Sequence, residues 1–82
     1  MKPGDLITSV GLASDSLQWP LWKRAEGLGK ITGWMTSKKL AIVVACHPYE
    51  NAVGAAWVSL LMLTSTGELG WNDEHKFVLV ST

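Results

Sequence analysis

Three segments of the chain are apolar at nearly every position instead of at every second, or every third and fourth. Leu40-Ala41-Ile42-Val43-Val44-Ala45-Cys46 and Phe77-Val78-Leu79-Val80 have strand length and β-branched content, which predicts extended backbone. Trp57-Val58-Ser59-Leu60-Leu61-Met62-Leu63 reads either as a buried strand or as the end of a short helix starting near Asn51. Gly54 disfavours the helix, and the Ser65-Thr66-Gly67 turn lets Glu68-Leu69-Gly70-Trp71 return beside the segment as a hairpin. Upstream, Pro3-Gly4-Asp5 opens onto a first strand, Leu6-Ile7-Thr8-Ser9-Val10, closed by Gly11. Gly27-Leu28-Gly29 leads into a second, residues 30–35, with glycines that permit the bulge a sharply bent strand needs. Residues 11–27 read as a long loop, in which Ser14-Asp15-Ser16 could cap one helical turn and Pro20 stops any helix at Trp19. His47-Pro48-Tyr49-Glu50-Asn51 is expected to break the strand before it, and Asn72-Asp73-Glu74-His75 to form one 3₁₀ turn.

Short strands, two long connections and a polar turn before the last strand predict an all-β fold. The form expected is a small antiparallel barrel of five or six strands, with room for one short helix or 3₁₀ turn, as a single domain over residues 1–82. With 48% apolar and 17% charged residues the chain is too hydrophobic for disorder. Seven basic and seven acidic side chains cancel, so the positive field that draws proteins to phosphate backbones is missing. The halves differ: residues 1–41 hold six basic and three acidic side chains, a net +3, and residues 42–82 hold Lys76 against Glu50, Glu68, Asp73 and Glu74, a net −3. The single Cys46 forms no internal disulfide, which suits a reducing compartment. Pro3-Gly4-Asp5 follows Met1-Lys2 where a signal peptide would be apolar. The longest apolar run, residues 52–63, falls well short of the roughly 20 residues that span a bilayer.

Several short motifs carry a family resemblance: Lys2-Pro3-Gly4-Asp5-Leu6-Ile7, Gly27-Leu28-Gly29-Lys30-Ile31-Thr32, Leu61-Met62-Leu63 with Ser65-Thr66-Gly67, Gly70-Trp71, and Phe77-Val78-Leu79-Val80. Together they cover about half the chain and resemble the small SH3-like barrel proteins of tailed bacteriophages, marine ones included. The resemblance implies the SH3-like form of the barrel and a phage-type role without an assigned activity. It also implies a location in the host cytoplasm or the virion.

Chemistry is sparse. Cys46, His47 and Glu50, and Asp73, Glu74 and His75, lack a diagnostic ligand spacing, so no metal or other cofactor is expected. Cys46 and His47 are neighbours on a strand and point to opposite faces, which defeats a nucleophile–base pair. Gly27-x-Gly29 lacks the third glycine of a dinucleotide loop. No enzyme activity is predicted.

Five tryptophans are the larger departure from ordinary composition. Trp34, Trp57 and Trp71 lie in predicted strands. Trp19 and Trp22 flank Pro20 beside Lys23 and Arg24, as a sticky loop or as a cap folded over the barrel end. Trp19, Trp22, Arg24, Trp34, Tyr49 and Trp57 are therefore the candidate partner-binding residues. An alternative is a nucleic-acid surface that stacks bases on Trp19 and Trp22 and uses Lys23, Arg24, Lys30, Lys38 and Lys39, against which the neutral net charge argues. The two-faced apolar strands favour association: a small barrel encloses one face, so the other is expected to meet a second copy or another protein.

Overall fold

The computed structural model describes residues 1–9, 18–36 and 39–80. They form one antiparallel sheet with seven strands: β1 (Leu6–Ser9), β2 (Gln18–Arg24), β3 (Leu28–Thr36), β4 (Ala41–Glu50), β5 (Ala56–Thr64), β6 (Leu69–Asp73) and β7 (Phe77–Leu79). The strand order β3-β2-β6-β5-β4-β1-β7 curls into a half-barrel. The fold is all-β, as expected, but with one or two more strands. Residues 57–63 are strand, the reading Gly54 favoured. Short 3₁₀ turns lie at Ala25–Gly27 and Glu74–Lys76, the second overlapping the Asn72–His75 turn read from the sequence at Glu74 and His75.

The additional strand comes from the expected loop 11–27, where residues 18–24 pair with β3. The expected cap at Ser14-Asp15-Ser16 lies outside the described residues. Pro20 fits a strand because β2 meets β6 at Trp22↔Trp71, leaving that flank unladdered at residue 20. There the Asn72 side-chain amide donates to the Pro20 carbonyl at 2.7 Å. Nor does Pro48 break β4, which runs to Glu50 with Pro48 opposite Val58. β1 pairs with β4 at Ala41 and Ile42, so at residue 48 a missing amide hydrogen costs no ladder bond on that flank.

The interior is small. Ile7, Leu21, Met35, Ala41, Val43, Leu60, Met62 and Phe77 are buried in one cluster. Outward on β5 stand Trp57, Ser59, Leu61 and Leu63, alternating with the inward Val58, Leu60 and Met62. On β4 a bulge between Val43 and Ala45 resets the alternation. Cys46, which unbroken alternation would place on the face of Ile42 and Val44, therefore packs against the core while they are exposed.

Glu68 fastens the β5–β6 turn to β3. Its carboxylate accepts the Trp34 amide at 3.0 Å, the Thr66 hydroxyl at 2.6 Å and the Lys39 ammonium. Lys39 also donates to the Trp34 carbonyl at 2.8 Å. One ion pair thus satisfies both backbone groups of Trp34 at a sheet edge. The approach requires glycine at 33, where a Cβ would lie 2.6 Å from that of Glu68. The Lys39 and Thr66 hydrogen bonds hold the Glu68 carboxyl down at about 2, against an ordinary value of 4.5.

Two predictions follow from the packing and the junction. Leu60→Ala should cost about 2–4 kcal/mol in denaturant unfolding, whereas Leu63→Ala, on the outer face of the same strand, should cost less than about 1 kcal/mol in the monomer. The lowered Glu68 pKa stabilises the fold above the unfolded value near 4.5, and this stabilisation fades as pH falls toward about 2. Glu68→Gln should therefore lose roughly 1–2 kcal/mol at neutral pH, and its unfolding midpoint should depend less on pH across that interval.

Candidate association surface

The outward side chains line up by register. Leu6 stands opposite Ile42, Ile42 opposite Leu63, and Leu63 opposite Leu69, a row across β1, β4, β5 and β6. Ile42 is 48%, Leu63 44% and Leu69 49% exposed, and Leu40 and Val44 beside them are 41% and 46% exposed. Leu6, Leu40, Ala41, Ile42, Leu63, Thr64 and Ser65 line a groove of about 240 Å³ along the row. No charged residue stands in this row, so water meets a nearly unbroken apolar strip.

At the other end of β4 and β5 the outward positions become aromatic and acidic. Tyr49 stands opposite Trp57 with ring centroids 6.5 Å apart, and Trp57 meets the His75 ring edge-on at 4.3 Å. His47 stacks near Tyr49 and sits edge-on to Trp71. The Tyr49 hydroxyl donates to the Asp73 carboxylate at 2.6 Å. Burial, followed by that bond and the Asp73 charge, pushes the phenol up to about 12. Between the two zones the Ala25–Gly27 turn folds down, where the Glu26 amide donates to buried Ser59 at 3.3 Å and the Glu26 carboxylate lies 3.5 Å from His47.

The six candidate partner-binding residues do not form one patch. Tyr49 and Trp57 come together and Trp22 reaches the same face opposite Trp71. Trp34 is exposed on β3, and Arg24 is exposed where β2 ends. Trp19 is no loop residue: it is half-buried against the core, with the Lys76 ammonium 4.9 Å above its ring. The stacking surface imagined for nucleic acid is dispersed in the same way. Lys39 is held by Glu68 and Trp34, Lys38 lies outside the described residues, and Lys23 and Lys30 are exposed beside Arg24.

Cys46 faces the core and His47 the outside, while His75 belongs to Trp57. Among the described residues no group of His, Cys, Asp and Glu comes together to hold a metal ion. No helix among them is long and apolar enough to cross a membrane. Sequence reasoning missed Trp71, His47 and His75 as surface residues and missed the Leu6–Leu69 row as a unit. The row was recoverable in part, since Ile42 and Leu63 belong to the two-faced strands, but which residues stand side by side depends on register. No family model matches the chain, and no curated protein or solved structure is significantly similar to it.

Tyr49 is the one tyrosine in the chain, so its phenolate can be followed directly by ultraviolet difference spectroscopy. The midpoint should lie near 12 in the folded protein, and Asp73→Asn should bring it down toward the ordinary value of 10. Since the folded pKa is the higher one, this contribution to stability is complete below about pH 10 and is lost between there and about pH 12.

Proposed function

We propose that the protein works by association: a non-enzymatic barrel of the SH3-like kind that pairs with a second copy of itself through the outward apolar row. The row of half-buried Leu6 and exposed Ile42, Leu63 and Leu69 carries the reading. With Leu40 and Val44 it offers roughly 400–500 Å² of apolar surface, at the upper end of what a soluble monomer leaves uncovered and about half of one side of a standard interface. An uncharged row on a chain of zero net charge meets its own copy without like-charge repulsion, and a two-fold pairing lets Leu40 and Leu63 of each copy enter the other's groove. The SH3-like assignment is supported by the pairing of the last strand, β7, with β1 and by the 3₁₀ turn just before it. A phage accessory or structural role is part of the same reading and rests on the sequence resemblance alone.

Analytical ultracentrifugation provides the test. The wild-type chain at about 50 μM, above the micromolar range of a modest interface, should sediment as a dimer or larger species. The double variant Ile42→Lys, Leu63→Lys should sediment as a monomer and keep a cooperative unfolding transition, because both positions are exposed. A wild-type monomer at that concentration, or a variant that still dimerises, overturns the proposal.

A further inference from the structure

At the end of the barrel away from the apolar row, β6 leaves the sheet at Asp73. Residues 56–58 of β5 then have β4 on one side and the Glu74–Lys76 turn on the other. The notch is a pocket of about 340 Å³ lined by Ala56, Trp57, Val58, Glu74 and His75. Its wall combines an indole and an imidazole, and carboxylates gather at its rim. Glu74 lines it, Asp73 precedes Glu74, and the exposed Glu50 stands opposite Ala56. No lysine or arginine lines it among the described residues. Lys76, the one lysine or arginine after residue 41, turns onto the Trp19 ring. A cation is already drawn to the rim: the Met1 ammonium meets Glu74 at 3.2 Å. Asp73 accepts the Tyr49 hydroxyl on Oδ1 and Glu74 the Met1 ammonium, whereas among the described residues the Glu50 carboxylate accepts no hydrogen bond and remains as an acceptor at the rim.

We propose that this notch is a binding site for an arginine side chain carried on a peptide segment of a partner protein. Charge complementarity selects a cation, and the neighbouring rings select arginine over lysine. A guanidinium is planar, weakly hydrated and able to lie against an aromatic ring while its edge forks onto a carboxylate. The notch between residues 56–58 and the Glu74–Lys76 turn admits a single side chain from a partner's segment passing over its mouth. The site is independent of the apolar row and needs no second copy of the chain.

The probe is a blocked glycyl-arginyl-glycine peptide titrated into the full chain at low salt and followed by two-dimensional NMR, with the citrulline analogue as the uncharged control of nearly the same shape. The arginine peptide should shift the Trp57 indole and His75 ring signals saturably, and the analogue should bind at least about tenfold more weakly. Glu50→Gln, a change at an exposed position that leaves the fold intact, should weaken binding by about two- to threefold. Equal binding of the two peptides, shifts centred on Ile42 and Leu63, or no saturable shift at all overturns the proposal.

Discussion

A sheet of so few residues curls around one small interior, in which eight apolar side chains of the described residues are buried. The rest follows from this limit. β4 and β5 carry apolar residues on both faces, so whichever set turns inward, the other faces water. The Val44 bulge moves Cys46 to the inside yet does not relieve the imbalance, because Leu40, Ile42 and Val44 stay outside. Four strands in register then turn scattered hydrophobes into a continuous row.

Several polar side chains of the described residues close the sheet. Glu68 and Lys39 seal the backbone of Trp34 at a sheet edge, Asn72 bridges β6 to β2, and Ser59 anchors the Ala25–Gly27 turn. With its edge backbone groups taken by side chains, β3 around Trp34 is a poor template for strand addition. The aromatic and acidic end is a different surface, held by the Tyr49–Asp73 bond and by ring contacts across β4, β5 and the last turn.

Much of the strand pattern was legible because β-branched runs of strand length state it directly: residues 40–46, 57–63 and 77–80 all lie in or beside strands. The proline-containing segments were misread. Pro20 and Pro48 signal a break only where both flanks of a strand need donors, and which flanks are laddered is a property of the whole sheet. The bulge at Val44 carries no glycine to announce it, so the change of face at Cys46 was hidden. The candidate surface was half visible. An excess of apolar residues is a matter of counting, whereas the inward placement of Trp19 and the meeting of Trp57 with His75 depend on contacts distant in sequence.

Cover over the outer row in solution can be read from methyl NMR with a soluble paramagnetic probe. The methyl signals of Ile42, Leu63 and Leu69 should be broadened strongly in dilute protein and become protected as concentration rises, while that of Val53, 86% exposed on the β4–β5 connection, stays broadened throughout. Outer-row methyls that remain as accessible as Val53 at every concentration would contradict that cover.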